Sequence, residues 1–124
     1  MAKEKTIRKR AQEKLTEEGW VVWIPSSARY GAGTTYFDDG DCKRGDDIFN
    51  IFDLVAWRDR QIKFVQYTAR SSVSARVAKV LDLFEERDLK VGAADIIVEV
   101  WGYEDRKGFT RKVSLEKGLA TVDL

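Results

Sequence analysis

Two apolar segments separated by a short polar turn constrain the fold more than any other feature of this 124-residue chain. Residues 48–57 are almost entirely apolar, residues 58–61 are polar, and residues 62–68 are again mostly apolar. Runs of this length that are bounded by turn residues are typical of buried strands. The sequence therefore predicts a β-hairpin with a four-residue loop at 58–61, in which Trp57 faces Ile62.

Periodic apolar residues elsewhere predict two helices and further strands. The predicted helices are 4–18 and 72–87, and the further strands are 20–24, 95–101, 109–115 and a short edge strand at 120–122. Residues 26–46 lack sustained periodicity and are predicted as a long loop with a short strand near 34–37. The order α-β-β-β-α-β-β indicates a single α/β domain over 1–124, with a mixed central sheet flanked by helices.

The chain has no histidine and a single cysteine, Cys42. These absences exclude a histidine-based catalytic triad, a His/Cys zinc site and an intrachain disulfide. The cysteine count favours a reducing, cytoplasmic setting. No stretch approaches 18 apolar residues and the first ten residues contain no apolar signal segment, so neither a membrane span nor a secretion signal is expected.

Asp53 is the most informative residue, because it interrupts the apolar run of the first hairpin strand. A buried carboxylate needs a partner or a metal ion. The predicted register places Asp53 opposite Gln66, and Thr68 lies on the same face two residues further on. Carboxylate, amide and hydroxyl oxygens suit Mg²⁺ or Mn²⁺, and Asp47, which directly precedes the strand, is a further candidate ligand. The alternative is a hydrogen-bonded Asp53–Gln66 pair with no metal.

Two basic segments are candidates for binding phosphate or a nucleic-acid backbone. Because the net charge is only +1, attraction to nucleic acid has to come from such local patches. The first patch lies at the start of the second predicted helix, where free backbone N–H groups favour an anion and a serine can cap the helix. Its candidate residues are Arg70, Ser71, Ser72, Ser74, Arg76 and Lys79. The second patch lies within the first ten residues and includes Arg8 and Arg10. Ordinary capping and solvated surface charge are the alternatives.

The four tryptophans lie on predicted strands: Trp20, Trp23, Trp57 and Trp101. Tryptophans on strand patterns are more often part of the core than a platform for stacking bases. The core is therefore their expected place, and a base-stacking platform is the alternative.

The order of these features resembles the PD-(D/E)XK nuclease superfamily. The resemblance is carried by the Asp-Ile-Phe-Asn-Ile-Phe-Asp run at 47–53, Phe-Val-Gln-Tyr-Thr at 64–68, Val-Ser-Ala-Arg at 73–76 and Glu-Val-Trp-Gly-Tyr at 99–103. Within that superfamily, the chain is similar to small phage and archaeal proteins that resemble Holliday-junction resolvases. The resemblance implies a restriction-endonuclease-like fold, Mg²⁺-dependent hydrolysis of phosphodiester bonds in branched or otherwise structured DNA, and a homodimer.

Two residues depart from the Glu-x-Lys motif of the superfamily. Gln66 stands in place of the glutamate and is a neutral, weaker metal ligand. Thr68 stands in place of the lysine and cannot supply its positive charge near the scissile phosphate. The resemblance therefore implies that Arg70 or Arg76 replaces that charge if the chain is active.

Three functions follow from these residues as hypotheses. The first is a nuclease in which Asp53, Gln66 and Asp47 hold the metal ion that activates water. The second is a DNA-binding module that keeps the nuclease fold without cleavage, and the third is a structural or regulatory protein. In the first case, replacing Asp53 by alanine is expected to abolish activity and leave the fold intact.

Overall fold

The computed structural model describes residues 4–25, 33–36, 40–45, 47–49, 51–86, 96–116 and 119–120. The helices are α1 (Glu4–Glu17) and α2 (Val73–Glu86), and a 3₁₀ turn at Arg70–Ser72 leads into α2. The strands are β1 (Val21–Trp23), β2 (Gly33–Tyr36), β3 (Cys42–Gly45), β4 (Leu54–Arg58), β5 (Gln61–Ala69), β6 (Ile96–Glu104), β7 (Gly108–Glu116) and β8 (Leu119–Ala120). None of the helices in these ranges is long and apolar enough to cross a membrane.

A mixed sheet forms the centre of the fold, with its strands in the order β1-β4-β5-β6-β7-β8. β5 and β6 are parallel, and α2 provides the crossover connection that a parallel pair requires. The other neighbouring pairs of this sheet are antiparallel. β8 adds only two residues at one edge, so five strands make up the body of the sheet. The predicted mixed α/β architecture with flanking helices is confirmed.

The sheet buries a separate core on each face, because successive side chains of a strand point to opposite sides. α1 covers one face, here called the α1 face, whose buried residues are Ile7, Ala11, Leu15, Trp20, Leu54, Ala56, Val65, Tyr67 and Trp101. α2 covers the other, here called the α2 face, whose buried residues are Ile51, Phe52, Val73, Val80, Phe84, Val98, Val100, Val113 and Leu115. Even-numbered residues of β5 and β6 therefore belong to the α2 face.

The β4–β5 hairpin has the predicted register and a shorter turn. Trp57 pairs with Ile62 as predicted, and Arg58 pairs with Gln61, so the turn is Asp59–Arg60 rather than a four-residue loop. Asp59 has a φ of 54°, a left-handed conformation that Asp tolerates better than most residues. Two-residue turns match the twist of the strands that they join, which explains why the pairing extends further than predicted.

The predicted strand at 48–57 is wrong in its first half, since β4 begins only at Leu54. The residues before it form a tight turn, in which Ile48 and Phe52 make an isolated antiparallel bridge. This turn carries both Ile51 and Phe52 into the core of the α2 face. A straight strand cannot bury two consecutive side chains on one face, because its side chains alternate.

The predicted loop at 26–46 contains two strands in its described residues. β2 and β3 pair as a separate antiparallel sheet, from Gly33 opposite Gly45 to Tyr36 opposite Cys42. β2 confirms the short strand expected near 34–37, whereas β3 was not predicted. The predicted edge strand at 120–122 corresponds to β8 at its start, and the rest of it lies outside the described residues.

Candidate functional site

Asp47 and Asp53 flank the isolated Ile48–Phe52 bridge that precedes β4. The Ile48–Phe52 bridge is closed by two reciprocal backbone hydrogen bonds, of 2.8 and 2.9 Å. Asp47 and Asp53 are the next positions outward from this bridge, and opposed residues of antiparallel chains have Cα atoms about 4.5–5.5 Å apart. We infer from this bridge that the two carboxylate residues, six positions apart in the sequence, lie close together. Asp47 is exposed and Asp53 is half-buried.

Asp53 is held against β5 by its own backbone and side chain. Its N–H donates to the carbonyl of Val65 at 2.9 Å, and its Oδ2 accepts the backbone N–H of Tyr67 at 2.9 Å. β4 begins at Leu54, and the Asp53 N–H donates to the carbonyl of Val65 rather than to that of Gln66, so the cross-strand pair predicted between Asp53 and Gln66 is not formed. The Asp53 carboxylate instead accepts the backbone N–H of Tyr67, the residue after Gln66, at a point where β5 continues past the first residue of β4.

This hydrogen bond changes what an alanine substitution at Asp53 does. The backbone N–H of Tyr67 belongs to a buried residue, and an amide left without an acceptor there costs about 1–3 kcal/mol. Asp53→Ala is therefore expected to lower the stability of the fold, and whether the fold stays intact remains a prediction. Asp53→Asn is the better test, because asparagine keeps an acceptor oxygen of the same reach.

Gln66 is a buried amide whose oxygen has no partner. The residue is 2% exposed, and its Oε1 has no hydrogen-bond donor among the described residues. An unsatisfied buried acceptor of this kind costs about 1–3 kcal/mol, so its presence in a packed sheet needs an explanation. Its even number in β5 places it on the α2 face, and its neighbour in β6 is Val100. A cation or a donor group is what this oxygen lacks.

Thr68 and Arg70 follow Gln66 but do not complete one site. Thr68 is half-buried opposite Gly102 of β6. Arg70 is drawn towards β6 and β7: its Nε lies 3.1 Å from Glu104 Oε1, and its Nη1 donates to the Thr110 carbonyl at 2.8 Å. Because β5 stands between those strands and β4, the guanidinium of Arg70 is directed away from Asp53.

Glu104 anchors this arginine as a carboxylate. Its Oε1 also accepts a hydrogen bond from the Thr110 hydroxyl at 3.0 Å, and Lys107 lies 3.5 Å from its Oε2. The Thr110 hydrogen bond is the largest cause that holds the pKa of Glu104 below its usual value, and the charges of Lys107 and Arg70 add to it. The group is solvent-exposed, so this link orients Arg70 more than it stabilises the fold.

The 3₁₀ turn that leads into α2 begins without a side-chain cap. Ala69 occupies the N-cap position of the 3₁₀ turn and no side chain caps it, while Ser71 is exposed and Ser72 half-buried. The turn packs directly over Gly102, where an added Cβ would lie 2.5 Å from a methyl group of Val73. Close packing on β6, rather than a side-chain cap, fixes this helix end.

The remaining residues of the α2 patch lie on different flanks of the helix. Ser74 Oγ accepts a 3.4 Å hydrogen bond from Arg111 of β7, so this flank faces β7. Residue 76 is two positions further on and hence roughly 200° around the helix, which turns half-buried Arg76 towards β5 and β4. Lys79 is exposed on the same flank. Arg76 is thus better placed than Arg70 to act near Asp53.

The second predicted basic patch lies on the other side of the sheet. Arg8 is half-buried and Arg10 exposed on α1, which covers the α1 face, and Arg10 is 3.9 Å from Glu13. Asp53 and Gln66 adjoin the opposite face. The two basic patches are therefore not brought together around one site.

Sequence reasoning missed a buried ion pair on the α1 face. Lys63 Nζ lies 3.2 Å from Glu99 Oε1, and both residues are 5% exposed. Glu99 also accepts hydrogen bonds from Trp101 Nε1 at 2.9 Å and from Ser114 Oγ at 3.3 Å. The available signal was one lysine and one glutamate of opposite charge in two otherwise apolar strands, since charges buried in this way are normally paired.

The donors around Asp53 suit a hard divalent cation. Asp47 and Asp53 contribute carboxylates, and the Gln66 oxygen is a buried acceptor without a donor. Within the described residues, no three His, Cys, Asp or Glu side chains form a cluster that holds a metal ion, so any site here needs the amide as well as the two acids. The set fits Mg²⁺ or Mn²⁺, which accept neutral amide oxygens and water alongside one or two carboxylates.

None of the family models, curated proteins and solved structures with which the chain was compared matches it. The nuclease assignment therefore depends on the sequence resemblance and on the geometry around Asp53.

Proposed function

We propose that this chain is a DNA-processing protein with a nuclease-like fold, which hydrolyses phosphodiester bonds of branched or otherwise structured DNA with Mg²⁺ or Mn²⁺. Asp53 and Asp47 hold the metal ion, and Gln66 supplies a neutral third oxygen. The observation that carries the proposal is the unpartnered Oε1 of Gln66, buried in the strand against which the Asp53 carboxylate is hydrogen-bonded.

A metal ion bound there lowers the pKa of a coordinated water and neutralises charge on the phosphate. The hydrogen bond to Tyr67 fixes the orientation of the Asp53 carboxylate, whose two oxygens together have about four acceptor sites. Gln66 satisfies its oxygen without adding negative charge, so it favours a site that binds the metal together with an anionic phosphate. The chain's own residues therefore position the ligands before substrate arrives.

Arg76 takes the electrostatic role of the missing motif lysine in this proposal. It is half-buried on the flank of α2 that faces β5 and β4. A fixed positive charge there stabilises the charge that develops on the phosphate. Arg70 is not suited to this role, because Glu104 and Thr110 hold its guanidinium on the other side of β5.

A DNA-binding module without cleavage is the second candidate. Thr68 favours it, because a neutral hydroxyl occupies the position that corresponds to the motif lysine in the resembled superfamily. In that case the basic residues of α2 and α1 contact the backbone, and binding weakens as salt rises. Cleavage, rather than binding, therefore separates the two candidates.

The test is cleavage of branched, single-stranded and duplex DNA in Mg²⁺ and in Mn²⁺. Wild-type chain is expected to cleave at least one of these substrates, and Asp53→Asn to lower the rate by about 100-fold or more. The matched control is Asp59→Asn at the β4–β5 turn, where an exposed Asp has a φ that asparagine also tolerates. Arg76→Gln is expected to slow cleavage and Arg70→Gln to leave it within a few-fold.

The outcomes divide the candidates cleanly. Binding of DNA without cleavage of any substrate supports the binding module. Equal loss of activity in the Asp53 and Asp59 variants, or none in either, removes Asp53 from the site.

A further inference from the structure

An uncovered apolar strip crosses four strands on the α2 face. Seven large apolar side chains are exposed in the described part of the chain, and six of them lie on or against this face: Val21, Trp23, Phe49, Trp57, Ile62 and Ile96. Trp23 is 60% exposed and Trp57 62% exposed, whereas Trp20 and Trp101 are buried on the α1 face. The preference for a core position is therefore wrong for Trp23 and Trp57.

The strand register shows that the strip is continuous. One cross-strand row runs Val21, Trp57, Ile62 and Ile96 through β1, β4, β5 and β6. The adjacent row on the same face runs Trp23, Val55 and Phe64 and ends at Val98, which is buried in the core that α2 covers. The ring of Phe49 lies 5.7 Å from that of Phe64 and extends the surface by one residue. All of these positions are apolar and no described strand residue places a charge among them.

The strip is large enough for a stable protein interface. With about 150–250 Å² for each aromatic side chain, the six exposed residues present roughly 700 Å² of apolar surface. The largest apolar patch of an ordinary monomer is about 300–600 Å², and a standard interface buries about 800 Å² on each partner. The strip is rich in aromatic residues and lacks charged ones, which is the composition of the centre of a protein interface rather than of its rim.

The cations of β4 and β5, Arg58 and Lys63, point away from the strip. Arg58 lies over the ring of Trp20 at 4.3 Å and donates to the Glu18 carbonyl at 2.6 Å, on the α1 face. Lys63 is paired with Glu99 on that face. A surface that stacks unpaired bases needs cations beside its aromatic rings to neutralise the phosphates. The strip lacks them in these strands, so it suits an apolar partner better than a nucleic acid.

We propose that the strip is the dimer interface of this protein, in which the α2-face strips of two copies pack against each other about a two-fold axis. An interface of this kind must be complementary to itself, and a continuous apolar surface without charges satisfies that condition. The two sheets then pack face to face at about 10 Å, with the tryptophans of each copy between the strands of the other. This inference is independent of the metal site at Asp53.

Sedimentation equilibrium tests the proposal on the full chain from nanomolar to about 100 µM protein. Wild-type chain is expected to dimerise, and Trp57→Glu and Trp23→Glu each to raise the dimer dissociation constant by about 30-fold or more. Tyr36→Glu is the matched control, since Tyr36 is 79% exposed on β2, outside the strip, and is expected to leave dimerisation unchanged. Far-UV circular dichroism reports whether each variant is folded.

Tryptophan fluorescence of the wild-type chain gives a second measurement that needs no variant. Trp20 and Trp101 are buried in every copy, so a red shift on dilution reports exposure of Trp23 and Trp57 as the dimer dissociates. A monomer at about 100 µM, a dimer that survives both glutamate substitutions, or a shift absent on dilution overturns the proposal. Quenching of a monomeric chain by single-stranded oligonucleotide also overturns it, in favour of a base-stacking surface.

Discussion

Replacing Gln66 by methionine is expected to stabilise the fold and remove the metal site at the same time. Methionine has nearly the volume of glutamine, and its thioether needs no donor in an apolar environment. The unpartnered Oε1 costs about 1–3 kcal/mol, and the substitution is expected to recover most of that free energy of unfolding. For a chain of this size, the melting temperature then rises by roughly 3–10 °C.

The assay is urea and thermal unfolding of Gln66→Met in EDTA, compared with Gln61→Met. Gln61 starts the same strand and is only half-buried, so its substitution is expected to change stability by no more than about 0.5 kcal/mol. A destabilised Gln66→Met would refute the reasoning, because it would show that the amide oxygen has a partner that the fold needs. Gln66→Glu is expected to be less stable than wild type in EDTA and to gain more than wild type from Mn²⁺, because an isolated buried carboxylate needs a cation.

Three further experiments test the structural basis of the site and its surroundings. Asp53→Ala should lower the free energy of unfolding by about 1–3 kcal/mol, because the backbone N–H of Tyr67 loses its acceptor. Asp53→Asn should lower it by less, and chemical denaturation of both variants measures the difference. Gly102→Ala should lower the free energy of unfolding by about 1–3 kcal/mol, because the added Cβ meets a methyl group of Val73. In a double-mutant cycle, the loss in the Gly102→Ala, Val73→Ala chain should be smaller than the sum of the two single losses. Thr110→Val should raise the pKa of Glu104 towards 4.5, which NMR titration measures. Because this pKa is lowered in the folded chain, the ionised carboxylate contributes to folding stability above pH 4.5, and that contribution is lost as the pH falls through the folded-state pKa. An unchanged pKa would show that the Thr110 hydroxyl is not its main cause.

Local patterns predicted the parts of the fold that depend on short-range periodicity. The β4–β5 register followed from the polar turn between two apolar runs, and α1 and α2 followed from apolar residues at helical spacing. β3 has few apolar residues and no alternation, so nothing local marks it as a strand. The Ile48–Phe52 bridge was not predicted either, because this part of the sequence is about as apolar as a strand.

The candidate site was predicted in its residue types and only partly in its geometry. Asp53 beside β5 follows from the hairpin, whereas the proximity to Asp47 is inferred from the Ile48–Phe52 bridge, which has no sequence signal of its own. The direction of Arg70 depends on Glu104, more than 30 positions away in the chain. Exposure of Trp23 and Trp57 depends on how far α2 extends across the sheet, and strand patterns carry no information about it.

A titration of the chain with Mn²⁺, followed by calorimetry, tests the central claim most directly. Wild-type protein and Asp59→Asn are predicted to bind one Mn²⁺ with a millimolar or lower dissociation constant, and Asp53→Asn and Gln66→Met to bind it at least about tenfold more weakly. If the folded wild-type chain binds no Mn²⁺ up to several millimolar, or if Asp53→Asn binds it as tightly as wild type, the metal site proposed at Asp47, Asp53 and Gln66 does not exist.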